Sequence, residues 1–496
     1  MQISSYAQSL SMRNGINQIQ TQLSDLQKQL TTGLKTDSYA GLGDARSLVL
    51  ALTGQMQKSN SYLDTIQTTQ LRIESTMNAL QSMNNIGSEL KTGSLSSTFK
   101  LTSGGQTDLQ ITAGMRLSEV VDLLNLNVAD RQLFGGKDTQ TTPVVTSTMM
   151  LDGDTTHAGL KTLIAQRNAA DLGSDGLGRL ALTSAIPGTV NIAEDASPSV
   201  FGFKLSNFTS SLSGTTVSDP ATTPASLDVA FSATPPTEGQ SVSFDLTLPD
   251  GTSTTVTLTA TTNSPAGAGE FTIGADAATT ATNFQAALDT SLQTEAKQSL
   301  VAASTVQAGN EFFTNPPMRV DGPPYDTATA MVAGTPDNTV IWYRGDSTGT
   351  AGNNFIATVG DGAQIAYGAR ADQGALATVV KNAALLAAVS YTGTDTANET
   401  KAYAELTKRT AGALNHNDGS QSLESVMTDL GLKAATLDTA QTKLQTQIST
   451  SKSVLADTQN ADPYDVATKL SSLMTQLQAS YQVTSSLSQL SLVKFL

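Results

Sequence analysis

Apolar residues recur near the start of the chain at Met12, Ile16, Ile19, Leu23, Leu26 and Leu30, in steps of 4, 3, 4, 3 and 4. That alternation is a heptad seam, a narrow apolar stripe on a long helix. Gly33 and then DSYAGLG (Asp37 to Gly43) interrupt it. A second helical stretch is expected from about Ala45 to Leu90, carrying Leu48, Leu52, Ile66, Ile73, Met77 and Leu80. The C-terminal hundred residues repeat the design through Leu423, Met427, Leu430, Ala434, Leu437, Leu444, Ile448 and Leu455, with polar lapses at Gln441 and Ser451. Asp462-Pro463 then reads as an N-cap followed by proline at the first helical position. The last helix carries Val466, Leu470, Leu473 and Leu477 toward QLSLVKFL, an apolar ending that needs a cover. Such narrow seams need each other or neighbouring molecules. For the inner helices, a bundle within the chain and packing between chains are equal expectations; for the outer segments, before Gly33 and after Pro463, packing between molecules is favoured.

Between about Lys137 and Ala404 the period changes to two. Val242, Phe244, Leu246 and Leu248 alternate, Pro249-Asp250-Gly251 supplies a turn, and Val256 and Leu258 alternate back, which predicts a hairpin. Further strands are expected at Phe271–Gly274, Arg179–Thr183, Val190–Ala193, Phe201–Leu205 and Thr339–Arg344, and a helix over Ala278–Ala296 bearing Phe284, Leu288 and Leu292. Linkers rich in Pro, Thr and Gly at Asp219–Pro224 and Thr234–Gly239 divide the middle into two small β or α+β lobes.

The 496 residues suffice for several domains. With 43 acidic against 28 basic side chains and no Lys/Arg run, nucleic acid is a poor partner. No stretch approaches the roughly 18 apolar residues of a membrane span, and the N-terminus lacks the pattern of a cleaved secretory signal. Cysteine is absent, which excludes disulfides, thiol catalysis and thiolate metal sites. Only His157 and His416 offer imidazole, so zinc chemistry and general-base catalysis have few ligands or bases to draw on.

Gly345-Asp346-Ser347-Thr348-Gly349 fits G-x-S-x-G, with His416 later in the chain. A nucleophile elbow needs a helix directly after the serine, and Thr350-Ala351-Gly352-Asn353-Asn354 reads instead as a continuing loop. Gly135-Gly136-Lys137-Asp138 lacks the first glycine and the Ser/Thr of a phosphate loop. Asp152-Gly153-Asp154 lacks the remaining ligands of an EF-hand. Trp342-Tyr343 is either a sugar-stacking platform or, the favoured reading, core packing. No catalytic, cofactor or metal site is predicted.

Two stretches carry a family resemblance. LTTGLKTDSYAGLGDARSLVLAL, with Thr31, Thr32, Gly33, Asp37, Ser38, Gly43, Asp44 and Ala45 at the positions of a characteristic inter-helix turn, resembles the flagellin family. Leu490, Ser491, Leu492, Phe495 and Leu496 match the ending of its hook-associated, hook–filament junction branch, and Gln132-Leu133-Phe134-Gly135-Gly136-Lys137 is similar to a segment of the same branch. The resemblance covers about 1–137 and 405–496. It implies an elongated, flagellin-like rod, mainly α at the termini, whose long coiled-coil helices pair N- and C-terminal segments, with inserted β-rich or α+β outer lobes.

On that resemblance the inner core is 1–40 plus 460–496, the helical rod 41–137 plus 405–459, and the outer insertion 138–404, with lobes at about 138–218 plus 310–404 and 219–309. The implied role is structural: a ring joining hook to filament in the bacterial flagellum, outside the cell, reached by type III export without a cleaved signal. Implied partners are further copies of the chain, the hook-side hook-associated protein, filament flagellin and an export chaperone on the C-terminal helix, with no nucleic acid and no membrane insertion. Filament flagellin is the nearest alternative and a secreted adhesin the next. The expected assembly interface is Met12, Ile16, Ile19, Leu23, Leu26, Leu30, Val466, Leu470, Leu473, Leu477, Leu487, Leu490, Leu492, Phe495 and Leu496.

Overall fold

The computed structural model describes residues 2–195, 199–218, 224–416 and 419–493. In chain order the elements are α1 (Gln2–Thr32), a 3-10 turn (Tyr39–Ala45), α2 (Arg46–Ser96), α3 (Asp108–Leu124), α4 (Ser147–Asp152) and α5 (Leu160–Leu172). Eight strands follow: β1 (Leu180–Thr183), β2 (Thr189–Glu194), β3 (Lys204–Ser210), β4 (Thr215–Val217), β5 (Ser226–Phe231), β6 (Ser241–Thr247), β7 (Ser253–Thr261) and β8 (Glu270–Thr272). Then come α6 (Ala277–Glu295), a π turn (Ala296–Leu300), α7 (Val301–Phe312), β9 (Met318–Val320), β10 (Met331–Ala333), β11 (Phe355–Gly360) and β12 (Ala363–Tyr367). The chain closes with α8 (Gly374–Ala388), α9 (Thr396–Leu414), α10 (Leu423–Gln459) and α11 (Pro463–Val493). Contacts divide it into two units, Met1–Thr69 with Ala357–Ile365 and Ala435–Leu496, and Gln70–Ile356 with Ala366–Ala434.

In the first unit α1 packs on α11. The hairpin tip at Asp361 meets α2, where its carboxylate pairs with Lys58 and accepts a hydrogen bond from the Tyr62 hydroxyl at 3.0 Å. The buried apolar side chains here are few: Val49 and Ile66 on α2, Ala357 and Val359 on β11, Leu437, Leu444 and Ile448 on α10, and Val466 on α11. Along α10 the buried positions Leu423, Leu430, Leu437, Leu444 and Ser451 repeat at every seventh residue, the spacing that keeps one stripe of a long helix in register.

The second unit holds a conventional core. Two four-stranded sheets, ordered β1-β2-β5-β4 and β3-β6-β7-β8, share one apolar cluster with α6. The expected hairpin is β6–β7, antiparallel from Ser241 opposite Thr259 to Thr247 opposite Ser253. β8 pairs parallel to β7, so the segment 262–269 between them turns the chain back along β7 before β8 begins. Phe284 of α6 is fully buried, with its ring 5.3 Å from Phe271, 5.4 Å from Phe231 and 6.4 Å from Phe244. Such edge and tilted aromatic contacts add to the burial energy of each ring.

Around that core, α5 is tied to α7 by a buried charge cluster. The Arg167 guanidinium bonds Asp171 at 2.7 Å, pairs with Glu311, donates to the Val200 carbonyl at 3.1 Å and lies over the Phe201 ring. Asp171 also accepts the Gly202 N–H at 2.8 Å. Burial pushes the Glu311 carboxyl above the usual range, opposed by Arg167. Removing one member would leave the others charged and dry, a cost of about 3–5 kcal/mol.

Two strand expectations need correction. Thr339–Arg344 is not a strand: it makes only isolated bridges, Thr339 to Ala158 and Tyr343 to Val144, because its neighbours are two separate loop segments. Phe201–Leu205 becomes a strand only at Lys204, since Gly202 sits at φ +74°, a left-handed conformation that breaks extended pairing. No described helix is long and apolar enough to cross a membrane.

Candidate assembly surface

α1 has no charged residue in its first or last turn and little intrinsic bias beyond its seam. What defines its end is the chain around Gly33. Gly33 stands at φ +70°, donates its N–H to the Gln29 carbonyl at 2.8 Å, and so closes α1 as a C-terminal glycine. The next residues clasp the junction of α10 and α11. Lys35 N–H reaches the Gln459 carbonyl at 2.7 Å, and Ala461 N–H reaches the Gly33 carbonyl at 2.8 Å. The Lys35 ammonium donates to the Asp457 and Thr458 carbonyls, each at 3.0 Å. Those carbonyls end α10, so a cation there both fills open acceptors and opposes the negative end of the helix dipole.

The start of α11 is set by its own sequence. Asp462 accepts from Tyr464 N–H at 2.9 Å and Asp465 N–H at 3.4 Å, with Pro463 at the first helical position. One turn on, Asp465 pairs with Lys469 at 2.7 Å, an exposed i,i+4 pair of modest worth.

From this clasp α1 and α11 run antiparallel. Leu34 bridges Asn460, Gln20 donates to the Tyr481 hydroxyl at 3.0 Å, and Thr484 Oγ1 lies 3.4 Å from Met12 Sδ. Met12, Ile16, Ile19, Leu23 and Leu26 are half-buried, as are Leu470, Leu473 and Leu477, while their flanks are exposed. Val466 is 3% exposed, whereas Leu30 and Leu487 remain 47% and 45% exposed. Leu490 and Leu492 lie on the helical backbone of α11, and Phe495 and Leu496 fall outside the described residues.

A two-helix contact thus covers each seam on one side only. Tyr6, Leu10, Tyr464, Met474, Tyr481 and Val483 add exposed apolar surface to the same two helices. An isolated helix pair with so little core gains little from folding alone.

The other motifs resolve differently. Trp342 and Tyr343 are 2% and 4% exposed, and the Trp342 ring lies 4.9 Å from that of Phe313. They are core side chains with no open face for a sugar. Ser347 sits in an exposed loop and accepts from Asn315 at 3.4 Å, while His416 Nδ1 is hydrogen-bonded to Ser420 at 2.9 Å. The loop continues into a short 3-10 turn, Ala351–Asn353, and not into a helix. Asp154 is engaged by Thr156 and His157, whose N–H groups hold its carboxyl well below the usual range. Among the described residues no group of acids and histidines has the arrangement of a metal site.

The Lys35 clasp is the part of the surface that heptad reading does not reveal. Its one local signal is a lysine two residues past a helix-ending glycine.

Residues 417–496 match the family model described as the bacterial flagellin C-terminal helical region, a stretch that takes in α10 and α11. No curated protein matches the chain. The match supports a structural protein of the bacterial flagellum.

Proposed function

We propose that the chain is a flagellar structural subunit of the flagellin family that assembles through α1 and α11 and serves at the hook–filament junction. The observation that carries this reading is that the flagellin-type match falls on the helix whose half-covered seam faces α1. A helix pair with one covered side suits a subunit whose remaining apolar surface closes against copies of itself and its neighbours in a coiled-coil layer. The second unit has its own core and so needs no partner to fold. The whole would lie beyond the cell after export.

The narrower placement at the junction rests on the resemblance of Leu490-Ser491-Leu492 with Phe495-Leu496, and of Gln132 to Lys137, to junction proteins. A filament flagellin shares the C-terminal match and is the reading to separate from it. Deleting the gene separates them. A junction role predicts intact hooks without filaments, with filament flagellin shed into the medium. A filament role predicts hooks with the junction complete and no filament subunit shed. Normal filaments on the deletion strain would overturn both.

A further inference from the structure

In the second unit, α5, α7, the end of α8 and the start of α9 frame an open cavity of about 390 Å3. Its floor is apolar, formed by Ile164, Ala302 and Leu406, all buried, with Val301 half-buried beside them. That size and lining fall within the range of small-molecule sites. Just ahead of Val301 the helix widens into the π turn Ala296–Leu300, and such turns are rare and concentrate at functional positions.

One buried polar atom of the lining is left unmatched. Asn168 reaches the cavity from α5, and its Oδ1 is shielded from water with no hydrogen-bond partner. A dry acceptor without a donor costs stability, so an asparagine kept beside an apolar floor calls for one. The last torsion of an asparagine is broad and soft, which lets that oxygen swing to the cavity face. Tyr391 also lines the cavity, and its hydroxyl has no partner among the described residues. Burial pushes this phenol up, so it keeps its proton and can donate. The ionic groups are already engaged. Glu399 accepts from the Thr392 and Gly393 N–H groups, Asp395 accepts from Asn398 and is coupled to the exposed Lys297, and Lys161 is paired with Asp152 at 2.7 Å.

We propose that this cavity binds a small neutral alcohol, its hydroxyl donating to Asn168 Oδ1 and its hydrocarbon body lying on Ile164, Val301 and Leu406. A hydroxyl both donates and accepts, so the same group can also take the Tyr391 proton and matches both unpaired side chains. An anion meets Asn168 Oδ1 and the Asp395 and Glu399 carboxylates, all of them acceptors. A cation meets Lys161 and Lys297 and finds the two carboxylates occupied. An ether of the same size brings no donor.

The test titrates the full chain with n-hexanol and with methyl pentyl ether, which has the same carbon and oxygen content, followed by saturation-transfer NMR. The alcohol is expected to bind saturably and about fivefold tighter than the ether, the equivalent of one neutral hydrogen bond. Hexanoate and hexylammonium are expected to bind more weakly than the alcohol. Asn168→Leu is expected to bring the alcohol down to the affinity of the ether and to leave the ether unchanged. Ala302→Leu, which fills the floor, is expected to abolish both while far-ultraviolet dichroism stays that of the parent. The proposal is overturned if the alcohol does not bind saturably, binds the parent no better than the ether, or binds more weakly than either charged probe. It is overturned equally if the alcohol keeps its advantage in Asn168→Leu or binds Ala302→Leu unchanged, because it then sits elsewhere. The comparison of probes on the parent chain decides the matter even where a variant fails to fold.

Discussion

Leu473→Asp on α11 separates folding of the helix pair from its assembly. In the single chain Leu473 is half-buried toward α1. Full burial of a leucine side chain is worth about 1.5–3 kcal/mol, so roughly 1 kcal/mol remains to be gained at this position when a partner closes the other side. The same holds for Met12, Ile16, Ile19, Leu23, Leu26, Leu470 and Leu477, which together leave on the order of 8 kcal/mol per subunit as an upper bound for seam closure. An aspartate at 473 keeps its carboxylate wet in the monomer, where the loss should be about 1–2 kcal/mol. In the closed assembly the carboxylate must be stripped of water, at several kcal/mol repeated at each interface. Urea unfolding followed by circular dichroism measures the first quantity, sedimentation velocity of the assembled protein the second. Gln476→Asp, on the exposed side of the same helix, is the control and should change neither. The reasoning fails if Leu473→Asp assembles like the parent, or if it unfolds the monomer while Gln476→Asp blocks assembly equally well.

Three further outcomes are expected. Asp462→Ala removes the acceptor for the Tyr464 and Asp465 N–H groups and should cost about 0.5–2 kcal/mol, seen as faster amide exchange confined to the first turn of α11. Phe284→Ala empties the centre of the aromatic cluster and should cost about 3–5 kcal/mol in chemical denaturation of the second unit, with near-ultraviolet dichroism reporting the lost packing. Asp276 caps α6, and its hydrogen bond from Thr279 N–H holds its carboxyl below the ordinary value of 3.8. A depressed acid stabilises above its unfolded pKa and loses that contribution as pH falls through the folded one. The stability difference between parent and Asp276→Asn should therefore be flat above about pH 4 and shrink below it; a difference that grows on acidification contradicts the assignment.

Periodic elements were legible because burial acts on one face at a time. The α1, α10 and α11 seams and the β6–β7 alternation announce themselves, since each has a wet side opposite a dry one. α8 does not: eleven of its fifteen residues are buried, including Leu376, Val380 and Leu385, so no polar face marks the period. α3 carried a readable start, the Thr107–Gln110 capping box, which lies outside a search for stripes. Thr339–Arg344 carries the short β-branched and aromatic run of a strand, yet its partners come from two loops that sequence spacing does not bring together. The half-burial of Met12, Ile16, Ile19, Leu23 and Leu26 follows from the same one-sided pattern as their helix. The Lys35 clasp was not, because it joins residues more than four hundred positions apart.

The most direct measurement is gold-labelled antibody against the second unit on intact flagella of the encoding bacterium. The account predicts a single labelled band at the distal end of the hook. Uniform labelling along the filament would move the chain to the filament itself, and flagella without label would contradict a structural role in the flagellum.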